Sequence, residues 1–271
     1  MPELPEVETI RRALNNRIAG RRITEYVLLR KDYLRRGGEL IHLTPGETIL
    51  RAERRGKFIL LYLTGPYVLL HHLGMSGRLL LTKSTDALEP HTHIRILLDK
   101  GSQELRQRDP RRFGFAALFR PHELSHFPPW ANLGQDPFEI DPPQFFDKIH
   151  KRKRPIKSLL LDQNVIAGLG NIYADESLFR AGLSPLRPAC GLEEKEAAQL
   201  LDRIREVLNE AIDAGGSSTN DYRHLDGTLG EFQQRLRVYR RTGLVCYRCG
   251  SAIERRLIAG RKTHFCPLCQ R

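Results

Sequence analysis

An α+β fold is predicted by three changes of texture along the 271 residues. One amphipathic helix opens the chain, short apolar runs of strand length follow, and helical periodicity then returns ahead of a cysteine-bearing tail. Residues 3–19 read as the helix: Val7, Ile10, Leu14 and Ile18 recur at helical spacing, Pro5 fits the first turn, and Gly20 ends it. From about 21 to 120 come the runs ITEYVLL, KFILLYL, YVLLHHL, GRLLLT, HIRILL and FGFAALF, several parted by Gly, Pro and Asp. That pattern predicts an antiparallel sandwich or barrel. Residues 121–143, with six prolines, read as a linker. Residues 144–214 read as largely helical: Leu200, Leu201, Ile204, Leu208 and Ala211 form one stripe, and Gly215-Gly216 stops the last helix. The final forty residues form a separate module, and there is no internal repeat.

Charge narrows the class of partner. Lys and Arg number 44 against 32 Asp and Glu, a formal net charge of +12. Residues 1–150 carry +5, 151–160 another +5, 161–230 carry −6 and 231–271 carry +8. An acidic segment between two basic ones concentrates positive potential instead of spreading it, which points to a polyanion such as nucleic acid. A basic surface serving only solubility is the alternative. Apolar residues make up 40% and charged residues 28%, ample for a core and against wholesale disorder. The most apolar stretch, Phe58 to Leu73, is broken by Gly65-Pro66 and holds His71-His72, so it is not a bilayer span. The acidic, proline-containing start is the reverse of a secretory signal, and a soluble cytoplasmic protein without membrane attachment is expected.

Cys246-x2-Cys249 and Cys266-x2-Cys269 are sixteen residues apart. Two close pairs let each turn present two thiolates to one tetrahedral zinc, joining a segment too small for its own core. Disulfides are the competing reading, disfavoured in a reducing compartment. Four cysteines leave no open position for water, so the zinc is expected to be structural. Its thiolates would remove about two units from the net charge. Cys190 stands alone and reads as structural or incidental. Between the pairs, Ala259-Gly260-Arg261-Lys262 reads as a hairpin tip, where Arg261 is either a phosphate fork or merely an exposed basic residue.

Removal of Met1 before the small Pro2 would expose a prolyl secondary amine. An α-amino group titrates near 8 rather than the ~10.4 of lysine, so part of it is unprotonated at neutral pH and can attack an aldehyde carbon. Glu3 and Glu6 follow within about a turn and could move protons. Taken alone, Pro-Glu-x-Pro-Glu is only a good helix start.

Other segments add to it. MPELPEVETIRR, RRGKF at 54–58, HLGMSGR at 72–78, DPRRFG at 109–114 and GLGNIYADE at 168–176 occur in that order ahead of the four cysteines. Together they make the chain closely resemble the formamidopyrimidine-DNA glycosylases, bifunctional base-excision repair enzymes, from residue 2 to residue 270. The resemblance implies a catalytic β-sandwich domain at 1–130 and a helix–two-turn–helix DNA-binding domain at 131–230. A zinc-finger β-hairpin at 231–271 would complete the chain. It further implies removal of oxidised purines such as 8-oxoguanine from duplex DNA, followed by β,δ-elimination, by a monomer in the cytoplasm at the nucleoid.

The resemblance also assigns residues. Pro2 matches the nucleophile that attacks C1′, Glu3 the acid assisting base departure and sugar opening, and Glu6 a supporting carboxylate. Lys57 matches a hairpin lysine near the lesion phosphate and proton donor for β-elimination. Arg261 matches the ribbon arginine that grips phosphate and is associated with δ-elimination. Met75, Arg111 and Phe113 match three side chains that fill the void left by an extruded nucleotide. An adaptable thioether, a planar hydrogen-bonding fork and a flat wedge suit that task. His72, His91 and Arg152 resemble further DNA contacts. Asn171, opening a helix after Gly168-Leu169-Gly170, resembles another. A lesion-reading loop is expected within 217–231. Two positions depart from the family pattern: Arg240 stands where glycine is usual and Lys262 where a small residue is common. Both put the ribbon's turn geometry in question. The competing functions are the same chemistry directed at oxidised pyrimidines, and a zinc-stabilised DNA-binding protein without catalysis; Pro2, Glu3 and Lys57 together argue against the latter.

Overall fold

The computed structural model describes residues 2–99, 103–219 and 221–271. Met1, whose removal is expected to expose Pro2, and Asn220, within the expected lesion-reading loop, lie outside the described residues. The chain forms two compact units, one of residues 1–131 and 214–233, the other of residues 132–213 and 234–271.

In the first unit, helix α1 (Leu4–Ile18) has Pro5 in its first turn. Leu4, Val7, Ile10, Leu14 and Ile18 are wholly buried, the predicted stripe extended by one residue. Eight antiparallel strands follow: β1 (Ile23–Leu28), β2 (Ile49–Arg55), β3 (Phe58–Leu63), β4 (Val68–His72), β5 (Arg78–Lys83), β6 (Thr92–Leu98), β7 (Gln103–Arg108) and β8 (Phe115–Phe119). They make two four-stranded sheets, ordered β1-β6-β7-β5 and β2-β3-β4-β8, so the β region is a sandwich. Val7, Leu14, Ile59, Leu69, Ile96 and Leu105 belong to its core. Asn15 fastens α1 to β2, donating to the Ala52 carbonyl at 2.9 Å and accepting the Ala52 N–H at 2.6 Å.

Two of these strands are absent from the apolar runs, because their sequences, ILRAERR and QELRQR, are too charged to register as such. In β7 the buried charge is paired: Glu104, fully buried, receives the guanidinium of Arg95 on the neighbouring β6 at 2.6 Å and that of Arg106 on β7 itself. A carboxylate with two guanidinium partners can occupy a strand interior that an unpaired one could not.

The expected linker is folded. Helices α2 (Pro121–Leu124) and α3 (Pro128–Ala131) lie in it, and α4 (Pro142–Ile149) begins at its end. Its prolines at 121, 128 and 142 are first-turn residues, where the missing N–H has no intrahelical partner to lose. Leu124 and Phe127 are buried, with the Phe127 ring 5.1 Å from Phe119 and 6.0 Å from Phe115.

In the second unit, α5 (Ile156–Leu160), α6 (Asn171–Ala181) and α7 (Glu194–Asp213) continue the helical segment. The apolar stripe of α7 is buried as expected. A two-stranded hairpin, β9 (Glu254–Ile258) and β10 (Arg261–Phe265), ends the chain in regular antiparallel register. The ribbon shares a small core with α6, made of Phe179, Val238, Cys246, Ile253 and Cys266. Residues 214–233 fold with the β unit, although the sequence alone places most of them with the helices. Tyr222 and Leu225 are buried there, and Leu81 of β5 donates its N–H to the Leu225 carbonyl at 2.8 Å. Among the described residues no helix is long and apolar enough to cross a membrane.

Candidate active site and nucleic-acid interface

Pro2 is buried immediately ahead of α1, and the two carboxylates after it are almost fully enclosed, Glu3 at 2% exposure and Glu6 at 1%. Helix geometry turns the Glu6 side chain back toward the helix start, where its Oε2 accepts the Glu3 N–H at 2.8 Å. Its Oε1 accepts the Ser217 N–H at 2.7 Å. One carboxylate thus binds the backbone beside Pro2 and the backbone of the 214–233 loop. Gly216 leaves room for it: a Cβ there would lie 2.9 Å from Glu6 Oε1 on a backbone with φ +81°. The loop closes at its base through Glu231 N–H to the Ala214 carbonyl and Phe232 N–H to the Gly216 carbonyl.

Lys57 begins the β3 side of the tight β2–β3 turn, where Gly56 has φ 57°, and only 8% of it is exposed. His72 ends β4, its ring 5.1 Å from Phe58 and stacked at 5.2 Å on Phe115. Burial, together with the positive charges of Lys57 and Arg35, pushes the His72 imidazole down to about 4. His72 Nδ1 accepts the Gly74 N–H at 3.2 Å, which leaves the ring proton on Nε2. A neutral imidazole donor next to a lysine is suited to a phosphate oxygen.

Met75 sits half-buried on the turn between β4 and β5; Arg111 and Phe113 are exposed on the loop between β7 and β8, Phe113 at 53%. The Arg111 guanidinium lies 4.9 Å from the Phe113 ring centroid. What joins the two loops is Asp109, fully buried and not singled out by its residue type. Its Oδ1 accepts the Ser76 hydroxyl at 2.5 Å and its Oδ2 the Gly114 N–H at 2.7 Å. Ser76 is next to Met75 and Gly114 next to Phe113, so one carboxylate holds both presenting loops. The Asp109 carbonyl bonds His93 Nε2 at 2.9 Å, and its N–H donates to the carbonyl of His91 at 2.9 Å. His91 itself is exposed, with φ 67°. Gly74 allows the close approach, since a Cβ there would meet Gly114 N at 2.3 Å.

In the second unit Asn171 opens α6 and donates Nδ2 to the Lys262 carbonyl at 2.7 Å, so it fastens the hairpin that carries Arg261. Lys157, wholly buried, reinforces this: its Nζ lies 2.5 Å from Asp175 Oδ1 and donates to Thr263 Oγ1 at 2.7 Å. Asp175 Oδ2 in turn accepts the His264 N–H at 2.9 Å. Glu176, next along α6, accepts the N–H groups of Arg237, Val238 and Tyr239 at 2.8–3.1 Å. Neither Lys157, Asp175 nor Glu176 is legible as a site residue in sequence, because each acts on backbone far away in the chain. Arg261 is exposed at the start of β10, directly after a tip in which Ala259 and Gly260 both have positive φ. Lys262 pairs with Leu257 in unbroken register, so its departure from the family pattern does not disturb the hairpin. Arg152 is exposed after α4 and donates Nε to the Lys148 carbonyl at 3.0 Å. Nothing among these contacts draws it toward Asn171 or Arg261.

The four cysteine sulfurs lie within 4.8 Å of one another, with Cys246 and Cys269 3.9 Å apart and Cys249 and Cys266 3.4 Å apart. Tetrahedral zinc with bonds of ~2.3 Å sets its sulfurs ~3.8 Å from each other, so the donor set fits zinc. Disulfide-bonded sulfurs would lie at about 2.05 Å, and all five cysteines of the chain are free. Arg248 and Cys269 aim their N–H groups at Cys246 and Cys266 sulfur, both at 3.4 Å.

Comparison with known proteins agrees with this arrangement. The formamidopyrimidine-DNA glycosylase N-terminal domain family matches residues 1–116, its H2TH domain residues 133–223, and the zinc finger found in FPG and IleRS residues 243–271. A formamidopyrimidine-DNA glycosylase of Thermus thermophilus is 46% identical over 274 residues, covering all of this chain and 98% of that protein. A mutant Lactococcus lactis Fpg, solved with DNA containing Fapy-dG, superposes with TM-score 0.93 at 37% identity over the whole of both chains. The Lactococcus lactis Fpg with abasic-site DNA gives 0.92 at 36%, covering 99% of each.

Proposed function

Because this chain belongs to the formamidopyrimidine-DNA glycosylase family, DNA glycosylases acting on damaged bases, we propose that it excises oxidised purines and then cleaves the abasic strand by β,δ-elimination. In this reading Pro2, as the mature N-terminus, is the nucleophile. Its nitrogen bonds C1′ as the bond from C1′ to the base breaks, and the proton shed by the amine balances the one taken up by the departing base. Glu3 supplies the further proton that O4′ takes as the sugar ring opens to the iminium. The resulting iminium acidifies the C2′ proton. Loss of that proton expels the 3′ phosphate, and a second elimination expels the 5′ phosphate. Lys57 donates a proton in the first elimination and Arg261 assists the second.

The observation that carries this reading is the Glu6 carboxylate, which binds the Glu3 N–H and the Ser217 N–H at once. A buried acid tying the nucleophile's own backbone to a glycine-flanked loop is the preorganisation that attack on one sugar carbon requires. Met75, Arg111 and Phe113 take the place of the extruded nucleotide. His72, His91, Arg152, Asn171 and Arg261 contact the strand, and the protein works as a monomer with one structural zinc. Along the sequence the family domains then run 1–130, 131–230 and 231–271, but residues 214–233 fold with the first unit, and the loop at 217–231 within them reads the lesion.

Borohydride reduction with duplex DNA carrying 8-oxoguanine opposite cytosine tests the chemistry. A covalent adduct at Pro2 is expected; its absence, with protein whose N-terminus is verified as Pro2, overturns the catalytic assignment. A parallel duplex carrying an oxidised pyrimidine decides substrate class: faster trapping on that duplex would overturn the purine preference.

A further inference from the structure

Tyr33, Gln107 and His71 form a buried row of polar side chains behind Asp109. They come from three parts of the first unit: Tyr33 from a short turn at Lys31–Tyr33, Gln107 from β7 and His71 from β4. Tyr33 is 3% exposed and the other two are wholly buried. The Tyr33 hydroxyl lies 3.5 Å from Asp109 Oδ2, and Gln107 Nε2 lies 3.1 Å from the Tyr33 oxygen. Gln107 Oε1 lies 2.7 Å from His71 Nδ1. Gly114 makes room where the row meets the loop: a Cβ there would stand 2.5 Å from the Tyr33 hydroxyl and 2.6 Å from the His72 carbonyl.

The direction of these bonds is set from the carboxylate end. Asp109 Oδ2 already accepts the Gly114 N–H, so Tyr33 turns its O–H toward the same oxygen. Burial and the negative charge of Asp109 push the Tyr33 phenol up, which keeps that proton in place. The Tyr33 oxygen must then accept from Gln107. The Gln107 amide nitrogen also faces the His72 carbonyl at 3.4 Å, and a carbonyl only accepts, so nitrogen is on that side and Oε1 faces His71. His71 therefore donates from Nδ1. Its Nε2 is bare, buried and without a hydrogen-bond partner among the described residues. Burial pushes the His71 imidazole down, so no second proton joins it. Leaving a buried nitrogen unpaired costs stability, which an apolar side chain at position 71 would avoid. What the row provides is three donors in one direction, ending on Asp109.

Asp109 serves both presenting loops only in one orientation, with Oδ1 toward Ser76 and Oδ2 toward Gly114. Rotation of the carboxylate would break both ties, and a second donor on Oδ2 opposes that rotation. We propose that Tyr33 is a positioning residue for base excision. Its hydroxyl holds the Asp109 carboxylate in the orientation that ties the Met75 turn to the Arg111–Phe113 loop, and Gln107 and His71 fix the direction of that hydroxyl. The assignment rests on the DNA-glycosylase reading above.

Tyr33→Phe removes the hydroxyl and keeps the ring against His93, 4.5 Å away. Single-turnover rates are measured on a duplex with 8-oxoguanine opposite cytosine and on one with a pre-formed abasic site. Loss of one neutral hydrogen bond should slow excision ~5-fold and abasic-site cleavage by less than about twofold. In an Asp109→Asn background Tyr33→Phe should add no further loss, because both changes act on one contact. His71→Asn, which keeps a donor toward Gln107, should retain the wild-type ratio of the two rates, and His71→Leu should lower it. A purely structural tyrosine would lower the melting temperature and leave that ratio unchanged. Nitrogen NMR reads the row without DNA: His71 is expected to carry its proton on Nδ1. An unchanged ratio in Tyr33→Phe, or a proton on His71 Nε2, would overturn the proposal while leaving the glycosylase reading intact. Wild-type protein that acts on neither duplex would instead strike that reading, and this assignment with it.

Discussion

Ser217 donates its backbone N–H to Glu6 at 2.7 Å, across 211 residues of chain. The same carboxylate takes the N–H of Glu3, so both of its oxygens face donors. Glu6→Gln would turn an amide NH2 toward one of them. Because an unmatched buried donor costs about 1–3 kcal/mol, the variant should melt several degrees lower. Its Schiff-base trapping at Pro2 should also slow. Unchanged trapping in a destabilised Glu6→Gln protein would show that the tie serves stability alone.

Asp109 joins the turn bearing Met75 to the loop bearing Arg111 and Phe113 through Ser76 and Gly114. Asp109→Asn keeps the volume but confronts one donor with another. Excision from an intact damaged base pair should fall at least about tenfold, the order expected when positioning of contact groups is lost. Cleavage of a pre-formed abasic site, which needs no base to be expelled, should fall less. Equal losses on the two substrates would argue that Asp109 acts only on folding.

His72 titrates far below an ordinary histidine because burial and the charges of Lys57 and Arg35 oppose its protonation. Its imidazole resonance, assigned by loss in His72→Asn, should titrate near pH 4 rather than 6.5. In the unfolded chain the ring takes up its proton near pH 6.5, before the folded form does. Its contribution to stability is therefore complete above 6.5 and declines as pH falls from there toward about 4. A midpoint near 6.5 in the folded protein would remove the neutral-donor role argued for it.

Lys157 and Asp175 are both fully buried, 2.5 Å apart. Lys157→Met strands the carboxylate, and breaking a buried pair from one side costs about 3–5 kcal/mol. The variant should unfold at markedly lower denaturant, with β10 losing amide protection first. Wild-type stability would mean that solvent reaches Asp175.

Zinc removal should release the ribbon, because residues 243–271 bury few apolar side chains of their own. One zinc per chain is expected by elemental analysis, with DNA affinity lost on chelation and regained on adding the metal back. Full affinity in metal-free protein would sink the role of the ribbon in gripping DNA.

Much of this protein is written locally. The α1 stripe, six of the eight sandwich strands, the α7 stripe and the paired cysteines are legible because periodicity and spacing are properties of neighbouring residues. The family motifs are legible for the same reason, and they carry Pro2, Met75, Arg111, Phe113 and Arg261, whose roles are those proposed above. The exceptions depend on partners distant in the chain. Strand β7 reads as loop until Glu104 meets Arg95 and Arg106. The prolines of 121–143 read as a linker until Phe127 packs between Phe115 and Phe119.

The sequence by itself determined which groups could react: a prolyl amine, two carboxylates beside it, a lysine, an arginine and four thiols. Tertiary structure decided which carboxylates hold those groups in place. Glu6 reaches Ser217, Asp109 reaches Ser76, and Glu176 reaches Arg237 to Tyr239, contacts that depend on burial and on partners distant in the chain. An aspartate or glutamate looks the same in sequence whether it is solvated or buried. Only the folded chain removes water from it and supplies the donors that replace water.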